Sequence, residues 1–195
     1  MRHALPAILV LALTPAGPAA AQEQPLPMPT RDVAVTYQVP NTRPSTDSVA
    51  WKPSEGLIRT EGRAMINRVT HLIDTRSGSV TAVVDADRSF HHLGRMASVM
   101  TQEILPVRPR QTRVKEGTDT IAGQPCTIWR IEEEGDASPE EAGHACITAD
   151  GVPLRLVTGS GPRARTRYVA TQVTYEAQDP ARFRVPAGYQ PLTGR

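Results

Sequence analysis

Residues 69–85, VTHLIDTRSGSVTAVVD, are typical of two β-strands joined by a tight turn, and this hairpin decides the fold class. The arms, residues 69–74 and 80–85, are rich in β-branched and other apolar side chains, as strands usually are. The linking residues Thr75-Arg76-Ser77-Gly78 end in glycine, which favours a hairpin turn. Apolar residues occur on both faces of the second arm, so we predict a strand that is covered on both sides.

Further strands are predicted on both sides of this hairpin. Valine, threonine and isoleucine are abundant, and the 18 prolines favour short strands with sharp connections. A polar loop is predicted at residues 41–48, and no internal repeat is evident, which indicates one domain. The remaining strand candidates are residues 32–39, 49–52, 56–60, 64–68, 112–116, 120–121, 126–132, 144–148, 153–158 and 165–175.

One segment, residues 90–105, follows a different period. Its apolar residues recur three and four positions apart, which is the spacing of one helix face, and Pro106 ends the pattern. The members of this stripe are Leu93, Met96, Ala97, Met100 and Ile104. We therefore predict a mainly β protein with one amphipathic helix, whose sheet must bury one face.

The first 21 residues, MRHALPAILVLALTPAGPAAA, are typical of a secretory signal peptide. A short basic start precedes an apolar run at residues 5–13, and small residues precede the predicted cleavage between Ala21 and Gln22. That run is far shorter than the roughly 20 residues that span a bilayer, and no cysteine follows the cleavage point for lipid attachment. We predict a soluble periplasmic protein that is neither membrane-spanning nor lipid-anchored. A proline-rich leader, residues 22–30, would precede a single domain of residues 31–192.

Composition excludes some classes of partner. The 195-residue chain has a formal net charge of only +2, with 22 basic and 20 acidic residues. Nucleic-acid-binding proteins and strongly basic membrane-surface proteins usually carry a pronounced positive excess. We therefore expect no nucleic-acid partner. Separately, we take the chain to be a monomer.

The two cysteines, Cys126 and Cys146, are expected to form a disulfide. If they face each other across an antiparallel hairpin, its midpoint is residue 136, inside the turn-like and acidic stretch GDASPEE. Redox motifs place their cysteines two residues apart, and a structural zinc site needs four ligands. An exported chain with an even cysteine count favours the structural bridge.

No catalytic or metal-binding motif is apparent. His91 and His92 are adjacent and so lack the spacing by which two helix residues share a metal. The string Gly159-Ser160-Gly161-Pro162 does not match the spacing of a nucleophile elbow. The acidic run at residues 132–141 is typical of a solvated hairpin tip. We expect a non-enzyme without catalytic residues, cofactor or metal.

Two sets of residues are candidates for binding. Methionine and aliphatic side chains on the helix stripe suit the lining of an apolar ligand site, although such residues also fill cores. Arginines that alternate on a strand project from one face and suit an anion-binding surface, although such a face is also typical of ordinary solvated strands. The possible apolar lining is Leu93, Met96, Met100 and Ile104, and the possible anion-binding face is Arg163, Arg165 and Arg167.

Three short segments carry a resemblance to a known family. They are IAGQPC at residues 121–126, DGVPL at residues 150–154, and Phe183 followed by VPAGY at residues 185–189. With the order of the elements, residues 31–192 resemble exported bacterial proteins of unknown function, related in fold to the periplasmic lipoprotein carriers LolA and LolB. The resemblance implies a strongly curved antiparallel sheet, a half-barrel, whose concave side is closed by helix.

Two functions are compatible with these features. The first is a periplasmic, non-catalytic binding or carrier protein for a lipid or other apolar ligand, with the helix as a lid. The alternative is an envelope interaction module with a filled core, which binds a protein or an anionic polymer through the arginine face. A ligand-sized cavity inside the sheet favours the first function, and a packed interior favours the second.

Overall fold

The computed structural model describes residues 23–40, 44–64, 67–133 and 143–192. The predicted signal peptide, residues 1–21, lies outside the described residues, as does the centre of the predicted acidic hairpin tip near residue 136.

Twelve strands form one sheet in the described residues, in the order β12-β6-β5-β4-β3-β2-β1-β11-β10-β9-β8-β7. All neighbouring strands are antiparallel except β12 and β6, which are parallel. The sheet is not closed, and the predicted mainly β fold with one α-helix is confirmed. The elements are β1 Val33–Val39, β2 Ser45–Lys52, β3 Leu57–Ala64, β4 Asn67–Asp74, β5 Ser79–Val84, β6 Ser89–Gly94, α1 Ala97–Gln102, β7 Gln111–Ile121, β8 Gln124–Glu133, β9 Gly143–Ile147, β10 Pro153–Thr158, β11 Arg165–Thr174 and β12 Gln190–Pro191, with 3₁₀ helices at Pro53–Glu55, Gly161–Arg163 and Pro180–Phe183.

Strands β4 and β5 form the hairpin that was predicted at residues 69–85. Its turn is held by the Asp74 carboxylate, which accepts hydrogen bonds from the backbone N–H groups of Arg76 and Ser77 at 2.8 and 3.2 Å. Gly78 closes the turn with a φ of +77°, a conformation that glycine adopts without steric cost.

Several predicted elements differ from the structure. The loop predicted at residues 41–48 is too long, because β2 begins at Ser45. The helix predicted over residues 90–105 is reduced to α1, because residues 89–94 form β6 and pair with β5. Leu93 therefore lies on a strand, not on the helix. The short strand β12 was not predicted; it contributes only two residues to the sheet.

The concave face of the sheet carries the main core, which is tightly filled at one end. Val33 and Val35 of β1 point inward, and their cross-strand neighbours include Trp51 and Val49 of β2. Trp51, Ile58 and other residues of this cluster are completely buried, and burying such side chains supplies most of the stability of a domain.

Strong curvature brings distant strands together. Asp119 on β7 forms an ion pair with Arg155 on β10 at 3.0 Å, although β8 and β9 lie between these strands in the sheet order. Strand β7 also contacts β11. The helix and the segment after it lie against the concave side, because Met100 on α1 and Ile104 after it pack against the same core.

The described part of the leader packs on the domain. Pro25 and Pro29 are buried, and the backbone N–H of Thr30 donates to the carbonyl of Asp150 at 3.0 Å. Arg31 forms a 2.7 Å ion pair with the Asp150 carboxylate and stacks on Tyr175, 3.7 Å from the ring centre.

Asp150 is the anchor of this contact. Burial opposes ionisation of its carboxyl group, but hydrogen bonds from Thr148, Arg31 and Tyr175 outweigh burial and lower its pKa below the ordinary value. The carboxylate therefore holds the leader and the β9–β10 turn together.

Cys126 on β8 and Cys146 on β9 are joined by a disulfide, with their Cα atoms 5.4 Å apart. They do not face each other directly as predicted, because the register pairs Cys146 with Ile128. Cys126 is offset by two residues and is a diagonal neighbour on the same face. The hairpin is thus centred one residue further along the chain than the assumed midpoint.

Candidate functional site

The concave face opens into a groove at the end where the core is not filled. Strands β1 and β2, the start of β11 and the segment after α1 enclose a volume of about 690 Å³. We call this the apolar groove. Its lining residues are Tyr37, Val39, Pro40, Asp47, Val49, Glu103, Ile104, Arg165, Thr166, Arg167 and Tyr168.

A smaller cavity of about 210 Å³ adjoins the apolar groove. The two share Asp47, Val49, Glu103 and Ile104, so the segment after α1 and the middle of β2 form a common wall. The smaller cavity is further lined by Met100 and by residues of β3 and β4.

Two tyrosines fix one side of the apolar groove. Tyr37 and Tyr168 are almost fully buried and make an edge-to-face contact, with ring centres 4.9 Å apart. Their hydroxyl groups donate hydrogen bonds to the carbonyls of Pro153 at 2.7 Å and Ile104 at 3.0 Å. Burial raises the pKa of both hydroxyl groups, which keeps them protonated as donors. The Tyr168 bond ties the segment after α1 to the sheet.

Charged side chains of both signs line the apolar groove. Asp47 lies opposite Tyr37 in the strand register. Glu103 lies 3.8 Å from Arg167 in an exposed ion pair, and Arg165 is two residues away from Arg167 on β11. Apolar side chains and opposite charges therefore meet in one place.

His71 lines the smaller cavity. Burial lowers the pKa of its imidazole, so the neutral form is favoured, and its Nδ1 atom lies 3.4 Å from the Thr60 hydroxyl. No group of three potential metal ligands gathers here or elsewhere in the described ranges.

Two of the four predicted lining residues reach the cavities. Ile104 lines both cavities and Met100 lines the smaller one. Leu93 packs against the core from β6, and Met96 precedes α1 with 39% of its surface exposed. Neither lines the cavities just described. The sequence did not indicate that residues of β1, β2 and β11 line the groove, among them Tyr37 and Tyr168. Their only sequence signal is their position on the inward face of an alternating strand.

The predicted arginine face is divided between two elements. Arg165 and Arg167 lie on β11 and line the apolar groove. Arg163 belongs instead to the 3₁₀ helix Gly161–Arg163, because Pro162 favours that turn over a strand. All three residues are exposed, so a cationic surface remains although it is not one strand face.

The chain is similar in fold to several solved structures. No protein-family model matches the chain, and no curated protein sequence does so either. An uncharacterised conserved protein from Thermus thermophilus is similar in structure, with a TM-score of 0.58 and 15% identity over 84% of this chain and 90% of that one.

Two structures of MucB are also similar. MucB in complex with MucA(peri) gives a TM-score of 0.52, and the Pseudomonas aeruginosa MucA/MucB complex gives 0.53, each at 15% identity. They cover 84% and 81% of this chain, which spans only 57% and 56% of the MucB chains. At this identity the likeness shows the fold alone. The relation to LolA and LolB stays a prediction.

No helix in the described segments is long and apolar enough to cross a bilayer.

Proposed function

We propose that this protein is a non-catalytic binding protein of the cell envelope that holds the apolar chain of a lipid-like ligand in the apolar groove. The observation that carries the proposal is the groove itself, a space of about 690 Å³ on the concave face of the sheet. Ligand sites usually measure roughly 300–1,000 Å³ and are mainly apolar with a few polar groups.

The floor of the groove suits an apolar chain better than a peptide. Val39, Val49 and Ile104 contribute aliphatic surface, and Tyr37 and Tyr168 contribute aromatic surface. The groove lies on the face of the sheet, where backbone N–H and C=O groups are already paired between strands. A bound peptide would therefore bury backbone groups without new partners, whereas an alkyl chain has no such groups to satisfy.

The segment after α1 acts as the lid. Ile104 packs on the core, and its carbonyl accepts the Tyr168 hydrogen bond. Met100, on α1 just before this segment, lines the adjoining smaller cavity, and methionine side chains adapt to irregular apolar shapes. The lid itself presents the apolar side chain of Ile104 to the ligand.

Export to the periplasm is part of the proposal. The disulfide between Cys126 and Cys146 supports it, since disulfides persist in oxidising compartments. The predicted signal peptide at residues 1–21 is consistent with the same location.

Replacing Ile104 with glutamate is expected to weaken the binding of a fluorescent long-chain fatty acid by about tenfold or more, because a charge in an apolar site is costly. Val99→Glu is the matched control. Val99 lies on α1 with 52% of its surface exposed and outside the groove lining, so its replacement should leave affinity unchanged. Affinity is measured by fluorescence titration, with a thermal melt to verify folding.

Native mass spectrometry of protein purified gently without detergent tests the proposal directly. A reproducible additional mass that dissociates as a lipid is expected. A clean ligand-free mass, together with no uptake of added envelope lipids, would exclude the carrier function.

A protein-binding module is the second candidate, favoured by the exposed arginines near the groove and by the two MucB structures, which are complexes with MucA. If Arg163, Arg165 and Arg167 carry such binding, raising the salt from about 50 to about 500 mM should weaken capture of an acidic polymer several-fold, because screening weakens exposed charge interactions. A triple Arg→Gln variant should remove the salt dependence. Salt-insensitive capture would contradict this candidate.

A further inference from the structure

Asp47 occupies an unusual position for a carboxylate. It lies on β2 opposite Tyr37 on β1 in the strand register, and its side chain lies close to Gly62 on β3. It belongs to the wall shared by the apolar groove and the smaller cavity. A charged group thus stands where the surrounding floor is mainly apolar.

The Asp47 carboxylate has no partner in the described part of the chain. Its Oδ1 atom is buried and accepts no hydrogen bond, and Asp47 is absent from every ion pair between described residues. A buried polar atom without a partner is rare and destabilising. Asp47 as a whole is only half-buried and lines both cavities, so rotation about the Cβ–Cγ bond can turn one carboxylate oxygen toward a donor in the groove.

Gly62 provides the space that the carboxylate occupies. A Cβ atom at Gly62 would lie 3.2 Å from both Cγ and Oδ2 of Asp47, which is tighter than ordinary packing. The absence of a side chain at residue 62 therefore allows Asp47 to lie over β3 at the junction of the two cavities.

The remaining charges of the apolar groove indicate what the missing donor belongs to. Arg165 and Arg167 line the same groove from β11, and Glu103 lies 3.8 Å from Arg167 in an exposed ion pair. Exposed ion pairs are weak, so both arginines remain available to a phosphate group, which paired arginines suit. We propose that the groove binds a phospholipid whose headgroup carries a primary ammonium, with the ammonium at Asp47, the phosphate at the two arginines and the acyl chain on the apolar floor. This inference rests on the proposed function and specifies the class of lipid.

A primary ammonium has three N–H donors, whereas a trimethylammonium group has none. The two headgroups carry the same net charge, so they differ mainly in their ability to hydrogen-bond to the carboxylate. Discrimination between them is therefore a direct measure of the Asp47 interaction.

The experiment compares lysophosphatidylethanolamine with lysophosphatidylcholine of the same acyl chain, below their critical micelle concentrations, by isothermal titration calorimetry. We expect the ethanolamine lipid to bind the purified full chain about tenfold more tightly, as for a hydrogen bond to a charged group. Lysophosphatidylglycerol, which lacks an ammonium, should also bind more weakly than the ethanolamine lipid.

Asp47→Asn should reduce the preference between the first two lipids to about onefold, because the charged acceptor is lost. Gly62→Ala, which crowds the carboxylate, should reduce it as well. Asp87→Asn removes one exposed charge outside both cavities and should leave the preference intact. Thermal melts of all three variants verify that they are folded.

Equal wild-type affinity for the first two lipids would overturn the inference, as would a preference that survives in Asp47→Asn. Tighter binding of lysophosphatidylglycerol would equally overturn it, since the headgroup would then be recognised by its negative charge. In those cases the lipids still bind and the proposed function stands. Failure of all three lipids to bind would overturn the proposed function itself.

Discussion

Replacing either Cys126 or Cys146 with alanine is expected to lower the free energy of unfolding by about 3 kcal/mol, the value for a closed loop of roughly 20 residues in the chain-entropy model. The bridge spans 20 residues and joins β8 to β9. Without the bridge, the conformational entropy of the unfolded chain rises, whereas that of the folded sheet stays nearly the same. For a chain of this size the melting temperature should fall by roughly 6–12 °C.

The structure gives a second reason for a large effect. Cys126 and Cys146 are 4% and 1% exposed and belong to the main core. Each alanine replacement therefore also leaves a small unfilled volume where a sulfur atom packed, and unfilled core volume is destabilising.

Because either replacement alone removes the bridge, the double variant should lose far less than the sum of the two single losses. Both cysteines lie outside the lining of the apolar groove, so fatty-acid affinity measured well below the melting temperature should not change. A reducing agent should produce, in the unmodified protein, the part of the loss that comes from the bridge. Unchanged melting in all three variants would contradict a stabilising disulfide.

The strands were the most predictable part of the fold. Alternating side chains and breaking residues mark them locally, and β10 has the predicted bounds, 153–158. Residues 90–94 were harder, because their apolar spacing fits a helix while pairing with β5 determines their conformation. The apolar spacing correctly predicts a helix at α1. Before α1, residues 89–94 pair with β5 and form a strand despite the same spacing.

The groove could be predicted only in part. The helical spacing, which is a local signal, indicates Ile104 of the groove and Met100 of the smaller cavity. Tyr37, Asp47 and Tyr168 meet because β1 lies between β2 and β11 in the sheet, an arrangement that no local pattern in the chain encodes. The sequence predicts a polar loop at Asp47, because isolated aspartates are common in loops, whereas the structure places Asp47 on β2.

The register of the disulfide shows the same limit. The cysteine spacing correctly indicated a hairpin between β8 and β9, but not the two-residue offset that the ladder imposes. Hairpin register depends on the turn and on which side chains each face must bury, and neither follows from the positions of the cysteines.

Replacing Gly151 with alanine is expected to lower the free energy of unfolding by about 3 kcal/mol, from left-handed backbone strain and from overpacking against the leader. Gly151 lies in the β9–β10 turn with a φ of +91°. An added Cβ atom would lie 2.3 Å from the carbonyl oxygen of Met28. That oxygen is backbone, so the leader must move.

Gly123→Ala is the matched control, because Gly123 lies in the β7–β8 turn with a φ of +75° and no atom within 4 Å of its added Cβ. It should cost only about 1 kcal/mol, from backbone strain alone. Chemical denaturation measures both values, and limited proteolysis should show faster cleavage within residues 23–31 only in Gly151→Ala. The larger loss would then come from the contact between the leader and the turn, where Asp150 also holds Arg31. Equal losses in the two variants would contradict a destabilising contact between the added Cβ atom and the leader.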